Sequence, residues 1–149
     1  MPFAAGVALA VSLVLNGNTP TTSTPIMPAA QSPKQFVESY FADVPVMIDI
    51  SRCESRFHQY DSDGSVYRGE INNLDVGVMQ INEHYHSDTA KKLGLDLYTI
   101  QGNVAYARYL YSKQGTAPWS SSEACWGPAQ AAKTKSRTNT VAVVATAQK

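Results

Sequence analysis

Val46, Met47, Ile50 and Cys53 recur at near-helical spacing behind Pro45, and the run closes on Glu54. That order fixes a great deal. A helix with this pattern packs its apolar face into a core and leaves Glu54, one position round from Cys53, at the rim. About twenty residues later comes Asp75-Val76-Gly77-Val78-Met79-Gln80-Ile81-Asn82. There Met79 and Ile81 alternate with Gln80 and Asn82, so the apolar pair faces inward and the amides face out. The chain therefore has to bury two apolar surfaces and bring a carboxylic acid to one wall of a site and side-chain amides to the other.

The rest of the chain is read around that pair. Ser32 followed by Pro33 is a helix start, and Phe36, Val37, Tyr40 and Phe41 give the first helix an apolar face. Asp43-Val44-Pro45 separates it from the helix that ends at Glu54. Residues 58–76 hold turn signals at Asp61-Ser62-Asp63-Gly64 and Asn72-Asn73 around a candidate strand at 65–68, which predicts a small β region. Ser87 is placed as the cap of a short helix closed by Gly94, and Thr99 or Asn103 opens the strongest helix, up to Gly115. Residues 118–126 form an aromatic-bearing closing segment, and beyond Gly127-Pro128 the periodicity stops.

These readings divide the chain into an N-terminal segment (1–31), a folded domain (32–128) and a basic, disordered tail (129–149). With 149 residues, 44% hydrophobic and 16% charged, one domain with a substantial core is expected. The formal net charge of zero hides an asymmetry. Residues 1–128 carry 12 acids and 8 bases, a balance of −4, while Lys133, Lys135, Arg137 and Lys149 give the tail +4. An acidic body argues against nucleic acid as partner, because phosphate binding needs clustered Lys and Arg.

Phe3–Leu15 is a 13-residue apolar run without a charge. It is short for a membrane span and right for the apolar region of a signal peptide, with cleavage placed near Ala29-Ala30. Export would put the chain in the cell envelope or outside the cell, with the membrane engaged only through an uncleaved N-terminal segment. Cys53 and Cys125 form an even pair that an oxidising compartment would join.

The two segments around Glu54 and Gly77, in this order, resemble the lysozyme-like superfamily and most closely its SLT-type lytic transglycosylases. Cys53-Glu54-Ser55-Arg56-Phe57 is similar to the family's first motif, and Gly77-Val78-Met79-Gln80 to its Gly-Leu-Met-Gln segment. Asn103-Val104-Ala105-Tyr106-Ala107 is similar to the third, an Asn-led helix, with Ala107 where glycine is common and Leu110-Tyr111 where Tyr-Leu is common. The resemblance runs over roughly residues 35–126. The later Ala-Tyr-Asn-Ala-Gly segment is absent, and Pro118-Trp119-Ser120 and Cys125-Trp126 stand in that region.

The resemblance implies an α+β, mainly helical, lysozyme-like fold and a monomer that acts on peptidoglycan glycan strands without a cofactor or metal. Glu54 is then the general acid and base, its proton held by an apolar setting that includes Phe57. Ser55, Gly77, Met79, Gln80, Asn82, Tyr106 and Trp119 are the candidate substrate contacts. Asp75 leaves the mechanism open. It stands where animal-type lysozymes carry a second carboxylate, so a hydrolase using both acids is the alternative to a transglycosylase using Glu54 alone. A glycan-binding protein that keeps the fold without activity is a third reading. Other chemistry is weaker: Asp61-Ser62-Asp63-Gly64 lacks the downstream glutamate of a calcium loop, and His84-Tyr85-His86 lacks a matching zinc motif. Cys53 with His84 lacks the local signature of a cysteine peptidase.

Overall fold

The computed structural model of the protein describes residues 31–146, with side chains up to residue 135. The signal-peptide reading therefore lies outside the described residues. Five α-helices, one short 3-10 helix and a two-stranded sheet follow in the order α1 (Pro33–Tyr40), α2 (Pro45–Ser55), β1 (Asp75–Val76), β2 (Ile81–Asn82), α3 (Glu83–Lys92), α4 (Ile100–Gln114), the 3-10 helix Ala117–Ser122, and α5 (Glu123–Thr146). The architecture is α+β and mainly helical.

Helix α1 starts where its sequence demands. The Ser32 hydroxyl accepts from Gln35 N–H while Gln35 reaches back to the Ser32 backbone, a complete capping box with Pro33 at the first helical position. Helix α2 ends abruptly. Arg56 and Phe57 both take left-handed backbone angles, with φ of 54° and 66°, a conformation that costs a non-glycine residue about 1–2 kcal/mol. Those two residues turn the chain out of α2 directly after Glu54-Ser55.

The core gathers around α2 and α4. Phe41, Met47, Ile50, Val76, Val78, Met79, Val104 and Ala107 are fully buried, with Tyr106, Leu110, Trp119 and Trp126 beside them. Each large apolar side chain removed from water contributes about 1.5–3 kcal/mol. The sheet is small: Asp75 pairs with Asn82 and Val76 with Ile81, antiparallel, and residues 77–80 are the turn between them. Isolated pairings of Tyr60 with Val66 and Arg68 with Val76 extend the β region back through the loop. Arg68 pins that loop to α3 by donating to the Asn73 carbonyl and to Glu83, which also accepts from the Tyr98 hydroxyl at 2.6 Å.

Two boundaries differ from the sequence reading. The cap of α3 is Asn82, not Ser87: its side chain accepts from Tyr85 N–H, and the helix begins at Glu83. The segment after Gly127-Pro128 is helix rather than irregular tail. Helix α5 carries Pro128 inside it and runs on to Thr146 through a stretch of strong helix formers, Ala129-Gln130-Ala131-Ala132-Lys133. Gln130 and Lys133 both reach the Asp49 carboxylate on α2, which fastens this extension to the body. Among the described residues, no helix is long and apolar enough to cross a membrane.

Candidate functional site

Glu54 is the last residue but one of α2, partly buried, between the β region and the 3-10 helix. Its Oε1 accepts from the Ser122 hydroxyl at 2.6 Å, and its Oε2 has no hydrogen bond to the described residues. Burial raises the Glu54 pKa above the usual carboxylate value. The Ser122 hydrogen bond works against that rise, and the charge of Asp75 adds to it. A carboxylic acid held protonated longer than usual, with one oxygen tied, is equipped to hand over a proton.

Asp75 lies on β1, near enough for its field to reach Glu54. Its Oδ1 accepts from the side-chain amides of Asn82, at 2.7 Å, and Asn72, at 3.2 Å, while Oδ2 has no such bond to the described residues. Asn82 thus has two structural tasks: it anchors Asp75 and caps α3. Gln80, with φ of 49°, folds its amide back to the Gly77 carbonyl at 2.9 Å. Arg56, Phe57 and Gln80 are the three non-glycine residues with positive φ among those described, and all lie in the two segments that carry the site. Strained backbone confined to such segments marks where the fold holds a shape against local preference.

Several candidate substrate contacts belong to the interior instead. The Ser55 hydroxyl is buried and donates to the Val78 carbonyl at 2.8 Å, which ties the end of α2 to the 77–80 turn. Met79 is 0 % exposed and fills the core beneath that turn. Trp119 is 3 % exposed, with its indole N–H donated to the Met79 carbonyl at 3.0 Å, so its faces are spent on packing and not on a sugar ring. Tyr106 is 1 % exposed, and its hydroxyl pairs with His86 Nδ1 at 3.0 Å. Gly77 is glycine for an internal reason: φ is +71°, and a Cβ would stand 2.5 Å from the Asn103 amide and 2.8 Å from Gln59 Oε1. Its backbone is approached by these two side chains, where the sequence reading had a ligand.

Sequence reasoning missed Gln59 and read Asn103 only as the head of its helix, and the two side chains hold the turn. Asn103 accepts from Met79 N–H and donates to the Val76 and Leu97 carbonyls, all at 2.9 Å. Gln59 accepts from Val78 N–H at 2.9 Å and donates to the Tyr98 carbonyl. Gly69 is a third: a Cβ there would meet Gln80 Oε1 at 2.7 Å. Ser122 is a fourth, and nothing local distinguishes it from its neighbours Ser120 and Ser121. The disulfide is present. Cys53 joins Cys125 across 72 residues, with Cα atoms 6.0 Å apart, one residue before Glu54 and three after Ser122.

Asp63 closes its own turn by accepting from Ser65, and among the described residues no cluster of His, Cys, Asp and Glu is arranged for a metal ion. Two cavities of about 430 and 450 Å³ open elsewhere, one along Ser87–Tyr98 and one between α1 and the start of α4; neither is lined by Glu54 or Asp75. No protein-family model, curated protein or solved structure matches this chain.

Proposed function

We propose that the protein is an exported, monomeric lytic transglycosylase with a lysozyme-like fold, which cleaves the β-1,4 bond between N-acetylmuramic acid and N-acetylglucosamine in peptidoglycan. The observation that carries this reading is Glu54: a partly buried glutamate with raised pKa, bonded through one oxygen and with no hydrogen bond to the described residues at the other, in the motif that resembles the family's first. The Cys53–Cys125 disulfide, which fits an oxidising compartment, supports it.

The chemistry needs one acid. Protonated Glu54 gives its proton to the glycosidic oxygen, and the bond from that oxygen to C1 breaks with its electron pair on the leaving sugar. The substrate's N-acetyl carbonyl oxygen bonds to C1. The Glu54 carboxylate then takes the proton of the C6 hydroxyl, O6 closes on C1, and the N-acetyl oxygen is released. The products are an N-acetylglucosamine-ended strand and a 1,6-anhydromuramyl end. No water is consumed and Glu54 is protonated again. No metal or cofactor is called for.

The second reading is a hydrolase in which Asp75 also takes part, and the observation that favours it is the field of Asp75 at Glu54. Against it, Asp75 Oδ1 is engaged by Asn72 and Asn82, which suits a group that organises the β region. Release of soluble fragments from purified peptidoglycan tests the proposal. Wild type should release them and folded Glu54→Gln should not; equal release by both would end the assignment of Glu54.

A further inference from the structure

The Ser122 hydroxyl has one proton and two acceptors within reach: Glu54 Oε1 at 2.6 Å and the Trp119 carbonyl at 3.1 Å. Its oxygen also accepts from Trp126 Nε1–H at 3.2 Å, an N–H shared with the same Trp119 carbonyl. Trp119 and Trp126 are both buried, and the disulfide at Cys125 fastens this stretch to α2 beside Glu54. The oxygen is thus fixed by a rigid neighbour while the hydroxyl remains free to turn. Such a group suits an acid that must exist in two forms.

We propose that Ser122 is a positioning residue whose hydroxyl turns between Glu54 and the Trp119 carbonyl as the glutamate regains and loses its proton, with Trp126 holding its oxygen still. When Glu54 is ionised, Ser122 donates to Oε1. When Glu54 is protonated, Ser122 donates to the Trp119 carbonyl and leaves its oxygen to the acid. The inference rests on the reading of Glu54 as the acid and base of glycan cleavage, and deepens it, because both halves of that reaction are served by one side chain. Burial and the charge of Asp75 on β1 favour the protonated form, and Ser122 opposes them. The disulfide beside Glu54 does not titrate.

The test follows the Glu54 carboxyl carbon by NMR against pH in the 13C-glutamate-labelled full chain, with the resonance assigned by its loss in Glu54→Gln. A hydrogen bond to a charged group is strong enough to change a protonation equilibrium about tenfold. Ser122→Ala should therefore shift that equilibrium about tenfold toward the protonated form, moving the midpoint to higher pH, and Ser122→Thr should restore it. In peptidoglycan cleavage, Ser122→Ala should move the alkaline limb of the rate profile the same way and lower kcat with KM unchanged. A midpoint in Ser122→Ala that stays or falls overturns the inference, as does an equal shift in Ser122→Thr. If Ser122→Ala does not fold, Trp126→Phe decides: losing its N–H frees the Trp119 carbonyl to draw Ser122 away, so the midpoint should rise, and an unmoved or lower one overturns the inference. The midpoint is read without turnover, so a wild type that leaves peptidoglycan intact refutes the proposed function, while the NMR series still decides the role of Ser122.

Discussion

Asn103→Ala is the sharpest structural test of how the 77–80 turn is held. Asn103 is fully buried on α4 and makes three hydrogen bonds of 2.9 Å, one from Met79 N–H and two to the Val76 and Leu97 carbonyls. Alanine removes all three partners at once. An N–H has a single proton to place, so leaving that of Met79 unpaired inside the protein costs about 1–3 kcal/mol, and each of the two carbonyls adds about 1 kcal/mol. The total is about 3–5 kcal/mol, a large part of the stability of a domain this size. Asn103→Asp should be comparably damaging at neutral pH, because it keeps the volume but puts an acceptor against two carbonyls. Gln101→Ala, exposed on the same helix, is the control and should cost under about 0.5 kcal/mol. Urea denaturation followed by circular dichroism would read these differences as midpoint shifts at constant slope. A loss below about 1 kcal/mol in Asn103→Ala would refute the claim that this side chain holds the turn.

Three further outcomes follow from the same geometry. Reducing Cys53–Cys125 opens a 72-residue loop, worth about 4 kcal/mol in the chain-entropy model, so thermal denaturation should fall by about 15 °C or more, and an unchanged transition would contradict it. Asp75→Asn should lower cleavage only about tenfold, since an amide oxygen still accepts from Asn72 and Asn82; it should also lower the Glu54 midpoint by removing a like charge, and a loss as complete as that of Glu54→Gln would favour the hydrolase. Glu54 binds its proton more tightly folded than unfolded, so its contribution to stability is present below the unfolded carboxylate pKa and is lost as pH rises through the folded one. Glu54→Gln should accordingly be at least as stable as wild type at pH 7 in urea titrations, and a clear destabilisation there would contradict the burial argument.

What was legible in the sequence was local. Ser32-Pro33, the apolar stripe ending at Glu54, and the inward Met79 and Ile81 each report on a few neighbouring residues, and each appears in the structure as read. What was not legible depends on distant partners. Asn82 looked like a site amide and is also a helix cap, which shifted the start of α3 by a turn. Trp119 looked like a surface for sugar, but the Met79 carbonyl that takes its N–H is 40 residues away in sequence. Gly127-Pro128 looked like a stop, yet α5 carries the proline inside it and Asp49 on α2 receives its next turns. Ser122 reaches Glu54 across 68 residues. No spacing rule announces such a pair.

The proposed function stands or falls on the chemistry of the cut ends. Mass spectrometry of purified peptidoglycan digested by the full chain, compared with Glu54→Gln, reads them directly. The account predicts 1,6-anhydromuramyl ends from wild type and none from the variant. Reducing muramyl ends from wild type would make the protein a hydrolase that sends water to C1, and no cleavage at all would leave a glycan binder where an enzyme is proposed.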